Sequence, residues 1–138
     1  MRDGTIVERE RVQIPDTFPE AEYPYLSDLR IDDITYLSDG LKVKGYLIIP
    51  KGKTGCPCIV YNRGGNREFG AITLQRVIQY LALMASWGYI VVASQYRGNM
   101  GGEGREQFGG DDIHDVMNLI PLLEELPEAD TRRMGVIG

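Results

Sequence analysis

The sequence has little of what several classes of protein require. It contains two cysteines in 138 residues, too few for a disulfide scaffold. No apolar run approaches the roughly 20 residues that span a bilayer, and the charged N-terminal segment has no apolar signal core. Acidic residues outnumber basic ones by 20 to 15, and a net charge of −5 repels a phosphate backbone. We therefore expect a cytoplasmic protein that binds neither nucleic acid nor membranes.

Residues that hold metals or carry redox chemistry are also scarce. Cys56 and Cys58 flank one proline, which matches neither the CxxC spacing of zinc sites nor that of redox sites. The single histidine, His114, lies off the apolar stripe of its predicted helix and is expected to face solvent without a catalytic role. The sequence therefore predicts two reduced structural thiols, no metal and no cofactor.

The N-terminal fifth of the chain differs in pattern from the rest. Residues 1–30 are charged and carry three prolines, which predicts an extended arm lying on the domain without regular structure. From residue 31 onwards, two β-rich runs flank Asp39-Gly40, a dipeptide typical of a two-residue hairpin turn. The second run has one apolar face, formed by Leu41, Val43, Leu47 and Ile49.

After the hairpin, short apolar strands alternate with helical segments. Strands are predicted at 58–61, 89–93 and 134–138, and continuous apolar runs of this length are typical of strands buried on both faces. A first helix, capped by Gly88, lies between the first two of these strands. Its apolar stripe consists of Leu74, Val77, Ile78, Leu81 and Ala85. The order predicts an α/β fold: an antiparallel hairpin followed by parallel strands with right-handed crossover helices.

A second helix is predicted between the last two strands. It begins near Asp111 or Asp112, whose carboxylates suit an N-cap, and Pro121 is expected to end or kink it. The residues expected on its buried face are Ile113, Val116, Met117 and Ile120.

Three of the predicted strands run directly into glycine-bearing segments. Arg63-Gly64-Gly65 follows the first, residues 97–104 follow the second, and Gly138 follows the third. The carboxyl ends of parallel strands share one sheet edge, where such folds bind ligands. Glycine lets backbone N–H groups approach an anion closely, so Gly64-Gly65 suits half of an oxyanion hole. Ordinary turns are the alternative reading of both loops.

Five segments between residues 31 and 138 carry a family resemblance. They are DGLKVKGYLIIPKG, CIVYNRGGN, WGYIVVASQYRGNMGGEG, DDIHDV and ADTRRMGVIG. Together, and in the family's order, they resemble the prolyl oligopeptidase family of α/β-hydrolases and its dipeptidyl-peptidase and acylaminoacyl-peptidase relatives. The resemblance implies that residues 31–138 form the N-terminal half of an α/β-hydrolase catalytic domain, with residues 1–30 as the arm.

The resemblance also implies roles for individual residues. In the family, a histidine or tyrosine followed by two glycines helps to hold the oxyanion, and Arg63, Gly64 and Gly65 occupy those positions here. The arginine at position 63 departs from the family pattern. Its side chain is expected either to pair with a substrate carboxylate or a nearby acid, or to form a salt bridge with a purely structural role. The segment Tyr96-Arg97-Gly98 resembles the family's YRG, whose arginine commonly forms a buried pair, and Asp112 and Asp115 are the candidate partners of Arg97.

The end of the sequence bears on activity. In these enzymes the strand leads into G-x-S-x-G, the nucleophile elbow, and Gly138 matches its first glycine. The triad order is Ser, Asp, His, so all three residues are expected beyond Gly138. We therefore expect the parent protein to be a serine hydrolase, either peptidase or esterase, and this chain alone to be inactive.

Two other functions are compatible with the same pattern. One is a nonhydrolytic domain that holds a nucleotide or another anion at its glycine loops, although neither G-x-G-x-x-G nor a Walker lysine is present. The other is a pseudo-enzyme that persists as an interaction module. The expected partners are a small peptide or ester substrate of the parent enzyme, and either a second copy of the chain or a C-terminal half that covers the last strand.

Overall fold

The structure, a computed structural model, describes residues 1–64, 70–107 and 109–138. These residues contain a six-stranded mixed sheet in the order β1-β2-β3-β5-β4-β6. The strands are β1 (Ile6–Arg11), β2 (Leu29–Ser38), β3 (Leu41–Pro50), β4 (Cys56–Tyr61), β5 (Ile90–Ser94) and β6 (Ala129–Ile137). The α/β fold class expected from the sequence is confirmed.

The predicted hairpin is present as β2 and β3. Ser38 pairs with Leu41, and the two residues between them, Asp39 and Gly40, have φ angles of 53° and 75°. Positive φ at both central positions defines the type I′ turn, which Asp-Gly accommodates at low cost. The turn chemistry therefore fixes the register of the hairpin.

The N-terminal segment is more regular than an extended arm. Residues 6–11 form β1, which pairs antiparallel with β2, and Pro24–Asp28 form a short 3-10 helix. Arg9 and Arg11 of β1 form ion pairs with the fully buried Asp32 of β2. The charges and prolines of the segment predicted an arm without regular structure. That prediction missed β1, because two of its charged residues are paired with a buried acid of β2.

The remaining strands fix the orientation of the sheet. β3 pairs antiparallel with β5, while β4 pairs parallel with both β5 and β6. The strands β4, β5 and β6 therefore share one carboxyl edge. Gly45 lies where β3 approaches β5, and a Cβ there would stand 2.4 Å from the carbonyl oxygen of Ala93. Glycine permits this close approach of the two backbones.

The helix between β4 and β5 covers one face of the sheet. It begins as α1 (Leu74–Arg76), continues as a π-helical turn (Val77–Leu81) and ends as α2 (Ala82–Ala85). The Thr73 side chain accepts a hydrogen bond from the Arg76 N–H, which caps the first turn. Most of the predicted stripe is confirmed, since Val77, Ile78, Leu81 and Ala85 are fully buried and Leu74 is half-buried. Gly88 follows with φ of 101°.

The helix between β5 and β6 turns a different face to the sheet from the one predicted. It consists of α3 (Ile113–Met117) and α4 (Leu119–Glu124). The predicted apolar face is exposed at Ile113, Met117 and Ile120, and Val116 is half-buried. The buried residues are Asp115, Leu119, Leu122 and Leu123. The prediction was wrong because the first member of the buried stripe is an acid, which an apolar pattern does not count.

Pro121 does not interrupt this helix. α4 begins directly after Asn118, so Pro121 stands in its first turn. N–H groups in the first turn have no partner within the helix, so the missing N–H of proline costs no hydrogen bond there.

Each face of the sheet carries an apolar cluster, one under α4 and the other under residues 74–85. No helix of the described ranges is both long and apolar enough to cross a membrane.

Candidate functional site

The carboxyl ends of three parallel strands meet at one edge of the sheet. Tyr61 at the end of β4 pairs with Ala93 of β5 on one side and with Ile137 of β6 on the other. One residue further on, the N–H of Asn62 donates to the carbonyl oxygen of Ile137 at 2.7 Å. The segments that follow the three strands therefore leave the sheet side by side, at the edge where α/β folds bind ligands.

Gly138 packs against the end of β4 too closely for a side chain. A Cβ at this position would stand 2.7 Å from the Asn62 Cβ and 2.8 Å from the Asn62 carbonyl oxygen. Real Cβ atoms essentially never approach another heavy atom within 3.0 Å, so a larger residue requires the backbone to shift. The close contact between Gly138 and the loop after β4 accounts for glycine at this point.

Two of the three oxyanion-hole candidates lie in the described part of the chain, and Gly65 lies outside it. Arg63 is 5% exposed. Its Nη1 donates to the Gln95 carbonyl oxygen at 2.8 Å, and its Nε donates to the Gly64 carbonyl oxygen at 3.2 Å. Gly64 is exposed, with open space where a Cβ would stand, so a ligand can approach its backbone. The Arg63 side chain thus joins the β4 loop to the end of β5.

The segment after β5 faces Arg63 through Tyr96. The centroid of the Tyr96 ring lies 5.3 Å from the Arg63 guanidinium carbon, within range of a cation–π contact. The Tyr96 hydroxyl donates to the Arg63 carbonyl oxygen at 3.2 Å. Tyr96 has φ of 67°, in the left-handed region that non-glycine residues rarely adopt. Burial raises the pKa of the Tyr96 phenol, so it remains a donor at neutral pH.

Gln95 is a site residue that the sequence analysis missed. It is 2% exposed, and its side-chain amide pairs with the backbone of Ile72 through two hydrogen bonds of 2.8 Å. Its carbonyl oxygen accepts from Arg63 and, at 3.1 Å, from the Asn99 side chain. The sequence signal for Gln95 was its position directly after β5, as an uncharged polar residue. This signal is weak, because it does not show that the side chain contacts the loop after β4.

Arg97 forms a buried pair with Asp115. Its Nη2 lies 2.9 Å from Asp115 Oδ1, and its backbone N–H donates to Asp115 Oδ2 at 2.7 Å. The Ser38 hydroxyl donates to the same carboxylate at 2.7 Å, and Asp39 accepts from Arg97 Nη2 at 2.8 Å. Chiefly the hydrogen bond to Asp115 raises the pKa of Arg97, which stays charged. The pair links the YRG segment, the hairpin turn and α3.

Asp112, the other candidate partner of Arg97, has a different role. Its carboxylate accepts from the N–H groups of Gln107 and Gly109, both at 3.2 Å. It occupies the N-cap position of α3 without a side-chain hydrogen bond to that helix. The Asp112 carboxylate therefore stabilises the loop before α3. The predicted N-cap hydrogen bond from Asp112 to the helix is not formed.

Ser94 and His114 also have partners in the described regions. Ser94, buried at the end of β5, accepts from the Tyr36 hydroxyl at 2.7 Å and from the Tyr96 N–H at 2.9 Å. The His114 side chain is 43% exposed, and its Nδ1 lies 2.7 Å from Asp39 Oδ2. This hydrogen bond raises the pKa of His114. These contacts give Ser94 and His114 structural roles.

A small open cavity of about 180 Å³ lies beside Tyr96. Its lining residues are Tyr96, Gly109, Asp112, Ile113 and Val116. It is smaller than the roughly 300–1,000 Å³ typical of ligand pockets, so it fits only a small group. Among residues 1–64, 70–107 and 109–138, no three His, Cys, Asp or Glu residues are grouped to hold a metal ion.

Comparison with known proteins gives a sequence relative and several structural ones. No protein-family profile matches the chain. The chain is 39% identical over 110 residues to the uncharacterized peptidase YtmA of Bacillus subtilis strain 168. The match covers 80% of this chain and 41% of YtmA, so the chain spans less than half the length of this relative.

Three solved structures superimpose on most of this chain. Acetyl xylan esterase 1 from Thermoanaerobacterium sp. JW/SL YS485 superimposes with a TM-score of 0.62 at 17% identity, covering 94% of this chain and 43% of its own. Acetyl xylan esterase from Paenibacillus sp. R4 gives 0.62 at 21% identity, covering 95% and 45%. An aminopeptidase from a Thaumarchaeota archaeon gives 0.55 at 24% identity, covering 72% and 19%.

These likenesses establish the fold. The six-stranded sheet, with β4 between β5 and β6 and helices on both faces, matches structures of α/β-hydrolases over most of this chain. Over the part that it spans, the chain has the α/β-hydrolase fold.

Proposed function

We propose that the protein is a serine hydrolase of the prolyl oligopeptidase family, which transfers the acyl group of a peptide, amide or ester substrate to water. The observation that carries the proposal is the contact between Gly138 and the loop after β4. In the proposed enzyme Gly138 is the first glycine of the nucleophile elbow. A Cβ at Gly138 would meet Asn62, which precedes Arg63 and Gly64 in the loop after β4.

The geometry suits acyl transfer for a chemical reason. When a serine attacks a carbonyl carbon, negative charge develops on the carbonyl oxygen, and preorganised N–H groups stabilise that charge. In this fold, one donor follows the nucleophile and the other comes from the neighbouring loop. The exposed backbone at Gly64 lies on the loop beside the strand that leads to the elbow. The likeness to YtmA, which is named a peptidase, supports the same reaction class.

We also propose that the protein is cytoplasmic, and that another part of the protein or a second copy covers the free edge of β6. Two free cysteines support the location, because thiols stay reduced in the cytosol, whereas secreted proteins commonly pair them as disulfides. β6 is an edge strand of the described sheet. In the complete protein we expect it to be covered by a further part of the hydrolase domain or by a second copy.

A fluorophosphonate probe tests the serine directly. We expect the full-length protein to be labelled at one serine in a G-x-S-x-G segment that begins at Gly138, and a serine-to-alanine variant to lose the label. We expect residues 1–138 alone to remain unlabelled. A folded full-length protein that takes no label would overturn the proposal, and saturable nucleotide binding by residues 1–138 would favour the anion-binding alternative.

The substrate class requires a second measurement. We would compare hydrolysis of an acetyl ester with hydrolysis of an aminoacyl anilide by the full-length protein before it is treated with the probe. Turnover of the anilide, with the ester as a minor activity, is expected of a peptidase. Turnover of the ester alone assigns an esterase.

A further inference from the structure

The loop between β4 and α1 is tied to one residue, Gln95, at both of its described ends. At the beginning of the loop, Arg63 Nη1 donates to the Gln95 carbonyl oxygen at 2.8 Å. At its end, the Gln95 side chain accepts from the Ile72 N–H and donates to the Ile72 carbonyl oxygen, both at 2.8 Å. The two anchors use different groups of the same residue, so the main chain and the side chain of Gln95 hold opposite ends of the loop.

The anchors are buried and are supported by further contacts. Gln95 and Arg63 are 2% and 5% exposed. Hydrogen bonds shielded from water are stronger than exposed ones, and removal of one partner leaves a buried polar group unsatisfied. The Tyr96 ring packs on the Arg63 guanidinium, and the Tyr96 hydroxyl holds the Arg63 carbonyl group. The conformation of the loop ends therefore depends on residues at the end of β5.

We propose that Arg63 and Gln95 are positioning residues for transition-state stabilisation, and that they act by holding the loop that supplies the oxyanion donor. This inference rests on the proposed function. A donor is effective only at about 2.7–3.1 Å from the oxyanion, so the loop has to be fixed before the reaction begins. In this role the Arg63 guanidinium donates to the carbonyl oxygens of Gln95 and Gly64, and Arg63 acts on the reaction through the neighbouring backbone.

The experiment compares anchor variants of the full-length protein with matched controls. Arg63→Met and Gln95→Met remove the anchors, while Arg63→Lys and Gln95→Glu retain part of their hydrogen bonding. Arg76→Met is the control for Arg63, because Arg76 also lies 5.3 Å from a tyrosine ring, that of Tyr80, on an exposed helical face. Gln79→Met is the corresponding control for Gln95, because the Gln79 side chain bonds only at the surface.

The measurements are kcat and KM, normalised by titration of active sites, and the affinity for a boronic acid that mimics the tetrahedral intermediate. Displacement of a catalytic group by about 1 Å costs roughly 100-fold in rate. We expect kcat of the anchor variants to fall by about 10-fold to 100-fold with KM changed by less than about threefold, and boronate affinity to fall in parallel. Guanidinium ion added to Arg63→Ala is expected to restore part of kcat.

The outcomes separate this inference from the proposed function. If the wild-type protein takes no fluorophosphonate label, the proposed function fails and the inference fails with it. If the wild-type protein is labelled, but the anchor variants lose only thermal stability while keeping kcat and boronate affinity per active site, the inference alone is overturned. Should the methionine variants fail to fold, Gln95→Glu takes their place, because a glutamate has no N–H to donate to the Ile72 carbonyl oxygen. An unchanged kcat and boronate affinity in this variant overturns the inference equally.

Discussion

Arg97 and Asp115 form the buried ion pair that joins the segment after β5 to α3. Asp115 has no exposed surface, and Arg97 is 4% exposed. Loss of one member of a buried pair leaves the other charge uncompensated, which typically costs about 3–5 kcal/mol. Here Asp39 remains near Arg97 and offsets part of that penalty. We therefore assign the pair a structural role, because it links the segment after β5, the hairpin turn and α3.

We expect Asp115→Asn to lower the free energy of unfolding by about 3 kcal/mol, measured by urea denaturation. The matched control is Asp111→Asn, because Asp111 lies on the same loop-helix junction but is exposed. Its effect is expected to stay within about 0.5 kcal/mol. Similar losses in the two variants would contradict the structural role of the Asp115 carboxylate.

His114 gives a pH-dependent contact between the hairpin turn and α3. Hydrogen bonding to Asp39 raises the pKa of His114 above its ordinary value of 6.5, while Arg97 and His114 lower the pKa of Asp39. A group with a raised pKa in the folded state stabilises fully below its unfolded pKa. The contribution of the contact is therefore complete below about pH 6.5 and disappears as the pH rises through the higher folded pKa of His114.

An NMR titration of the imidazole ring in a protein of residues 1–138 measures this directly, since His114 is the only histidine of this sequence. We expect a pKa above 6.5 in the wild-type protein and a lower pKa in Asp39→Asn. Asn-Gly also suits a type I′ turn, so this variant keeps the hairpin. A His114 pKa at or below 6.5 in the wild-type protein would show that the contact is absent in solution.

The contacts of individual side chains could be predicted from the sequence only in part. It named Asp112 and Asp115 as equal candidates for the partner of Arg97, because both acids follow the glycine loop. The structure separates them by direction: Asp115 points to Arg97, and Asp112 accepts from loop N–H groups. Gln95 escaped notice because its importance depends on Ile72, which is 23 positions away in the sequence.

At the level of strands and helices, local chemistry decided how much was predictable. The Asp39-Gly40 turn and the buried apolar strands β4 and β5 follow from neighbouring residues, and they agree with the structure. The third apolar strand was predicted to be buried, but β6 begins at Ala129 and is exposed, because it is an edge strand of the described sheet. The orientation of α3 does not follow from such a pattern, because the buried face begins with Asp115, whose burial depends on Arg97 from another element. The strand β1 was missed because its ion-pair partner Asp32 lies on β2.

The junction of β3 and β5 gives a test at this scale. A Cβ on Gly45 would stand 2.4 Å from the Ala93 carbonyl oxygen, so Gly45→Ala has to push the two strands apart. We expect a loss of about 2 kcal/mol or more in the free energy of unfolding, as for other overpacked cores. Gly135→Ala in β6 is the control, since nothing lies within 4 Å of its Cβ position. If both variants have the same stability as the wild-type protein, the close approach of the strands is not present.

In the molecule as a whole, the sheet has two different edges. β1 forms one edge, and its last four residues are all charged, with glutamate and arginine in alternation. Charge on an edge strand discourages pairing with another chain. β6 forms the other edge with Met134, Val136 and Ile137 exposed. An edge strand with exposed apolar side chains is a template for further strand pairing. The two edges therefore differ in their tendency to associate.

The β6 edge predicts how residues 1–138 behave when produced alone. We expect concentration-dependent association in sedimentation velocity experiments, because pairing at β6 satisfies unpaired backbone groups and covers apolar side chains. Val136→Lys is expected to weaken the association, since a charge on an edge strand opposes pairing. Trp87→Lys serves as the control, because Trp87 and Val136 are both 66% exposed but Trp87 follows α2. A monomer at every concentration, or equal weakening by the two substitutions, would show that β6 is not the associating edge.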